Sequence, residues 1–434
     1  MTLSSSLTAG VAGLGANANK LATISDNIAN AGTYGYKRVD TEFTSMVVGA
    51  NAGAYTAGGV TSTSSRNIGQ QGALATTGNA LDLAVVGGGF LPVTSASRAA
   101  AGAPTQLQLA PTGSFSPDST GLLRTASGLA LLGWPVDETG ATIAGSRQSA
   151  AGLQPVVVPA NAIAAEPTTQ ITLGANLPAE DTSDSGSGDA LPVTIEYFDN
   201  LGGSRDLTAT FTPSVPAAGS PPTNAWRLSF ADSATSGGPV AEYDITFSDA
   251  AGLGGTLASV APVGGAAWNG PDGIADIPIA GGSIAVSLGP VGAESPLTQL
   301  AAPFTPTGIS KNGAGAGQLT GLEFDAQGFL VGTYDTGLTR NLFQVPLVDV
   351  PNPDGLRPED AGAFSVTGDS GAFFLWDSAD GPVGELTGFA LEQSTTDIAG
   401  ELTALIETQR AYSSNAKVIQ TVDEMLQETT NIKR

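Results

Sequence analysis

The chain's 434 residues carry forty carboxylates but neither a histidine nor a cysteine, and that inventory decides which chemistry is open to it. Ser-His-Asp and Cys-His nucleophiles and histidine-ligated metals cannot be assembled. What remains is carboxylate chemistry, chiefly an acid pair cleaving a glycoside. Such a pair needs an aromatic-lined setting, and Asp325, Asp335 and Asp349 instead sit in turns or at strand ends, where a solvated carboxylate is the plain reading. Asp181, Asp184 and Asp189 would attract calcium, yet they match no EF-hand register and their Ser and Gly neighbours favour a surface loop. The run Val85-Val86-Gly87-Gly88-Gly89-Phe90 follows a strand as a phosphate loop would, but it lacks the GxGxxG spacing and a following helix, so it reads as a β-turn. The sequence therefore predicts no catalytic residue, no metal and no cofactor.

The strongest patterns lie at the two ends. Leu3, Leu7, Leu14, Leu21, Ile24 and Ile28 recur at alternating four-three spacing, with Gly10 and Asn17 in the other slots. Ile398, Leu402, Leu405, Tyr412, Ala416, Ile419 and Leu426 hold the same spacing, interrupted at Gln409 and Asp423. Two long amphipathic helices with coiled-coil-like seams follow. The first is predicted from Ser4 or Ser5 to Asn30, with Ser as its cap. Gly10, Gly13 and Gly15 each cost up to about 1 kcal/mol relative to Ala, so this helix is marginal without a partner surface. The second is predicted from a Thr395 or Thr396 cap to Ile432, about 50 Å at 1.5 Å per residue.

Between them the texture is strand and turn. Leu81, Leu83 and Val85, then Phe90, Leu91 and Val93, flank the triple glycine. Val193, Ile195 and Tyr197 alternate before an Asp199-Asn200 turn and Leu207, Ala209 and Phe211 after it, which marks a hairpin. Trp226, Leu228, Phe230 and Tyr243, Ile245, Phe247 give two further strands. The fold class is mainly β with long terminal α-helices, the helices forming an inner coiled-coil-like domain and antiparallel β domains nesting outside. Its expected domains are 1–32 with 395–434 (terminal helices), 33–72 (extended connector), 73–140 with 287–394 (inner β domain) and 141–286 (an acidic outer β insert). Acids outnumber bases 40 to 16, a formal charge of −24. Nucleic acid is excluded as a partner because phosphate binding needs clustered cations. The amino-terminal stretch has no basic region and no unbroken apolar core, so no cleavable leader is expected, and no apolar run is long enough to span a membrane.

One segment rises above this background. Asp26-Asn27-Ile28-Ala29-Asn30-Ala31-Gly32-Thr33-Tyr34-Gly35-Tyr36-Lys37-Arg38 resembles the amino-terminal signature of the bacterial flagellar axial family, the rod and hook proteins. Asn27 and Asn30 suit a helix end, Gly32 and Gly35 allow positive φ, and Tyr36 is a flat anchor beside Lys37 and Arg38. Gly32 and Tyr34 stand where the family often has Asn or Ser and Pro. Glu401 to Thr421 is similar to the family's last helix, with Gln409, Arg410, Tyr412, Asn415 and Ala416 at its centre. Gly78 to Phe90 and Leu386 to Ser394 resemble its inner strands. Thr33, Gly35, Tyr36, Lys37 and the two asparagines are the signature residues of the first end, and Gln409, Arg410 and Asn415 those of the second.

The large insert is nearer the hook members than the shorter distal rod members. The resemblance implies a structural subunit, not an enzyme, exported through the flagellar type III apparatus without a cleaved signal to the extracellular hook. There it would form a homopolymer, a curved tube acting as a universal joint, in contact with the distal rod protein, the hook cap and the hook-filament junction proteins. Its assembly residues would be Leu3, Leu7, Leu14, Leu21, Ile28, Ile398, Leu402, Leu405, Tyr412, Ile419 and Leu426. A distal rod subunit is the alternative within the family. A secreted carbohydrate-binding or carbohydrate-cleaving β protein is the alternative outside it, and only four Trp are scattered through the chain to line a sugar cleft.

Overall fold

The computed structural model describes residues 3–46, 57–102, 106–137, 140–143, 145–159, 161–264 and 266–432, with the backbone alone for Leu3, Ser4 and Ile432. Helix α1 runs Leu3–Ala29, the short helix α2 runs Ala96–Ala100, and α3 runs Ile398–Ile432. The first helix thus starts ahead of the predicted serine caps. The last starts behind its predicted threonines: Asp397 is the cap, its Oδ1 accepting from Ala399 N at 3.0 Å. Thr395 is occupied elsewhere, its hydroxyl accepting from Arg38 N at 2.8 Å. Of the two signature glycines, Gly35 has positive φ (+70°), and a β-carbon there would meet Thr112 and Pro111 at 2.9 and 3.0 Å. Gly32 is not among the residues with positive φ.

The chain divides into two compact units. The first comprises 1–160, 322–332 and 340–434. The stretch expected as an extended connector carries an antiparallel hairpin, β1 (Val39–Ser45) with β2 (Val60–Arg66), in register from Val39 opposite Arg66 to Ser45 opposite Val60. Its low apolar content concealed it, because Ser and Thr strands carry no apolar alternation. Of its fourteen strand residues Thr41 alone is buried.

The remainder of this unit is antiparallel β structure built from both halves of the sequence. Asp82–Val86 pairs with Glu385–Gly388, Leu74–Thr76 with Ala390–Glu392, and Leu347–Asp349 with Phe374–Trp376. The strand that leads into α3 is therefore held by one that lies soon after β2. Ile68, Phe90, Leu109, Leu132, Trp134, Val348, Phe364 and Leu375 are among the residues of its core.

The second unit comprises 161–321 and 333–339. It is shifted from the expected 141–286 for two reasons visible in the pairing. Gln154–Pro155 joins Leu132–Gly133 in the first unit, whereas Leu297–Leu300 and Thr305–Lys311 both pair with Gln170–Pro178. The predicted hairpin is present as Leu191–Phe198 with Ser204–Pro213, and the meander continues through Ala225–Asp232, Ala241–Phe247 and Leu257–Val263. A six-stranded sheet centred on Gln170–Pro178 supplies the facing layer. Strict alternation turns Tyr197, Phe211, Trp226, Phe230, Tyr243 and Ile245 into one core with Leu173, Leu177, Ile277 and Val286, the construction of a β-sandwich.

Candidate functional site

The first and last helices lie antiparallel, with Gly10 facing Ile419, Gly13 facing Asn415 and Asn27 facing Glu401. On α1 Gly10, Asn17 and Ile24 are buried, together with Gly13, Ala16 and Asn27 from outside the predicted seam, whereas the predicted knobs Leu7, Leu14, Leu21 and Ile28 are only half-buried. The side chain of Leu3 lies outside the described residues. The closest approach is made by glycine: a β-carbon on Gly10 would stand 3.1 Å from Ile419 Cγ1, and one on Gly13 2.8 Å from Asn415 Nδ2. Asn17 is satisfied within its own helix, donating to Gly13 O at 2.7 Å.

On α3 the packed face differs from the all-apolar reading. Leu405 and Ile419 are half-buried, but Ile398, Leu402, Tyr412 and Leu426 remain exposed, at 51, 47, 41 and 38%. The second column of the helix-to-helix contact is Glu401, Thr408, Asn415 and Val422, one position before Leu402, Gln409, Ala416 and Asp423. A search for apolar residues passes over that column because three of its four members are polar. Apolar periodicity carries no sign that Glu401 is buried when its charge is met by partners elsewhere in the chain. Gln409 and Arg410 are exposed.

The remaining signature residues gather where the two ends enter the β structure. Asn27, buried, treats β1 as a neighbouring strand would: its Nδ2 donates to Val39 O at 2.8 Å and its Oδ1 accepts from Val39 N at 2.9 Å. The same Nδ2 reaches Glu401 Oε1 at 3.1 Å. Asn30 closes α1 by donating to Asp26 O, and Thr33 donates onward to Asn30 Oδ1. Tyr36 donates its hydroxyl to Asp26 Oδ2 at 2.9 Å, beneath the Arg66 guanidinium at 5.0 Å. Burial first, and then the hydrogen bond to the Asp26 carboxylate, push its phenol up to about 12.

Lys37 and Arg38 each take a carboxylate from the far end of the sequence. Lys37 Nζ lies 2.7 Å from Glu392 Oε1 and 2.7 Å from Gln70 O, and the side chains of the pair are only 3 and 4% exposed. Glu392 Oε1 also accepts from Gly72 N at 2.6 Å, and its backbone carbonyl accepts from Gly35 N at 2.8 Å. Arg38 Nε donates to Glu401 Oε1 at 2.5 Å, and Thr395 N returns a bond to Tyr36 O at 3.1 Å. Removing one member of such a buried pair costs about 3–5 kcal/mol, against about 0–1 kcal/mol for an exposed one. The arrangement is thus a fastening of residues 27–38 to residues 392–401, with Lys37 and Arg38 each held by a carboxylate. Glu392 and Glu401, its two acids, are residues that spacing did not single out.

Comparisons with known proteins follow the same geography. Residues 7–37 match the family model described as flagella basal body rod protein, and 388–432 the one described as flagellar basal body rod FlgEFG protein C-terminal. Over its full length the chain is 35% identical to the flagellar hook protein FlgE of Rhizobium meliloti (strain 1021), 434 residues covering all of both chains. It is 31% identical to that of Brucella abortus biovar 1 over 440 residues, again covering both chains, and 28% identical to that of Escherichia coli K12 over 440 residues, 98% of each. A solved structure, that of Helicobacter pylori flagellar hook protein FlgE2, is similar with a TM-score of 0.47 at 10% identity, covering 74% of this chain and 100% of that one.

Proposed function

The chain belongs to the flagellar hook protein family, and we propose that it serves as one subunit of the hook, many copies assembling into a curved, flexible tube that passes torque from rod to filament. The family is structural, so the role is mechanical. The observation that carries the reading is what remains uncovered once α1 and α3 are paired: Ile398, Leu402, Ile406, Tyr412, Met425 and Leu426 stay exposed along α3. A run of large apolar side chains on an already packed helix is a surface awaiting a partner, and in a polymer that partner is the next copy. The helical pair would form the tube's inner layer and the β units its outside. The export apparatus, the distal rod protein, the hook cap and the junction proteins are the further partners this role entails.

Negative-stain electron microscopy in polymerising salt tests it with Leu402→Asp and Ile406→Asp, positions exposed in the single chain. Wild-type protein should give curved tubes and both variants folded, unassembled subunits. Wild-type-like tubes from the variants would remove α3 from the interface; straight wild-type tubes would move the reading to a distal rod subunit.

A further inference from the structure

We propose that Asn269 is a modification site, converting without an enzyme to aspartate and isoaspartate, while the fold holds the chain's other Asn-Gly step, at Asn312, as the amide. The sequence contains two such steps, Asn269-Gly270 and Asn312-Gly313, and both lie in the second unit. In each, glycine carries no β-carbon, so its amide nitrogen approaches the side-chain carbonyl of the preceding residue unhindered. Local sequence gives the two steps equal reactivity. The structure separates them.

Asn312 is locked. Its Oδ1 accepts from Thr169 N at 2.9 Å and Gln170 N at 2.8 Å, and its Nδ2 donates to Thr169 Oγ1 at 2.8 Å. Its backbone is pinned as well: N donates to Gln170 O at 3.2 Å, and O accepts from Thr168 Oγ1 at 3.0 Å. Turning Cγ onto Gly313 N would break all three side-chain bonds and strand two backbone donors. Asn269, in contrast, is exposed at the end of the edge strand Ala267–Asn269, opposite Ile274 and ahead of the turn Gly270-Pro271-Asp272-Gly273. A single bond holds its side chain, Nδ2 to Asp272 Oδ2 at 2.6 Å. Among the described residues its Oδ1 accepts no hydrogen bond and Gly270 N donates none, so electrophile and nucleophile are both free.

The reaction is redox-neutral. Gly270 N attacks Asn269 Cγ; the N–Cγ bond forms, the Cγ–Nδ2 bond breaks, and the proton lost by Gly270 N leaves with Nδ2 as ammonia. Water then opens the cyclic imide at one carbonyl or the other, giving aspartate or isoaspartate. Either product replaces the amide donor to Asp272 with a second carboxylate, so the attraction across the turn becomes repulsion. Isoaspartate also adds a methylene to the backbone at the end of the edge strand.

Peptide mapping of the folded full-length chain, aged in mildly alkaline buffer, tests this. Trypsin cuts at Arg227, Lys311 and Arg340, so the two steps fall on separate peptides, each with one asparagine. Asn269 should convert at least about tenfold faster than Asn312 in the folded protein, because Asn312 reacts only after local opening. In denaturant the two rates should converge. Gly270→Ala should slow conversion at Asn269 with the thermal unfolding of the unit unchanged, since a β-carbon there meets nothing closer than Trp268 Nε1 at 3.5 Å. Equal rates in the folded protein, an amide at 269 that outlasts the one at 312, or wild-type conversion in Gly270→Ala would each overturn the proposal.

Discussion

Ile419 sits over Gly10: its Cγ1 lies 3.1 Å from where a β-carbon on that glycine would be. Three residues further along α1, Gly13 stands in the same relation to the Asn415 amide, at 2.8 Å. Gly15, two residues on, has nothing within 4 Å. The three glycines thus share one helix and one intrinsic cost but not one purpose. Gly10 and Gly13 are the notch into which α3 settles, and the helical propensity they forfeit is the cost of close approach.

Alanine at each position separates the two effects. Gly15→Ala should stabilise the helical pair by about 0.5–1 kcal/mol, the propensity gain alone. Gly10→Ala keeps little of that gain, because Ile419 must give by a few tenths of an ångström. Gly13→Ala should be the least stable, with overpacking of about 1–3 kcal/mol set against the gain. Thermal unfolding followed by far-ultraviolet circular dichroism ranks the three; equal gains would mean that the notch does not exist.

The same notch shows what a sequence can and cannot reveal. The helix carrying Leu7, Leu14, Leu21 and Ile28 was legible from their spacing, though the four side chains are only half-buried, and the alternation through Tyr197, Phe211, Trp226 and Tyr243 was legible because period two marks the buried face of a strand. Glu401, Thr408 and Asn415 were not, because apolar periodicity does not report a polar residue that is accepted on a packed face by contacts of its own. Arg38 and Asn27 are the partners of Glu401, Thr408 donates to Ala404 O one turn back, and Asn415 lies against the bare backbone of Gly13; spacing along α3 contains no trace of these contacts. The β1–β2 hairpin escaped for a related reason: it is stitched by Thr23, Thr41 and Ser64 hydroxyls, which resemble linker composition until they are seen opposite one another. The boundaries of the second unit moved because strands 297–300 and 305–311 are recruited by pairing with Gln170–Pro178, a long-range choice that local texture does not encode.

Alkali should unfasten the end of α1. The Tyr36 phenol is raised to about 12 by burial and by the Asp26 carboxylate it donates to. A folded-state value above the unfolded one, about 10, means that the neutral phenol's contribution is complete below pH 10 and is lost as pH climbs from about 10 through 12. Tyr197 and Tyr243 are also raised, so phenolate absorbance should show one late-titrating tyrosine fewer in Tyr36→Phe, together with a shallower alkaline loss of helical signal in that variant. A wild-type-like alkaline profile from Tyr36→Phe would assign the loss to other groups.

Acid should act on the second unit, through Asp232. This carboxylate is buried and accepts from the Tyr197 hydroxyl at 2.7 Å, the Thr235 hydroxyl at 2.6 Å, Ala234 N at 3.0 Å and Ala280 N at 3.2 Å. Burial alone would raise its pKa, but these four donors favour the charged form and outweigh it, so the group is held below the usual carboxylate range. Because the folded value lies below the unfolded one, the stabilisation is present above about pH 4 and disappears as pH falls through the folded value. Protonation would also set a second hydroxyl against that of Tyr197, in a site that now holds one acceptor among four donors. The tryptophan fluorescence of Trp226, packed in the same sandwich core, reports the event. Wild-type protein should lose second-unit stability steeply below about pH 4, and Asp232→Asn should begin less stable at neutral pH and lose less on acidification. Parallel acid curves for the two proteins would show that the four donors do not hold a charge at this site.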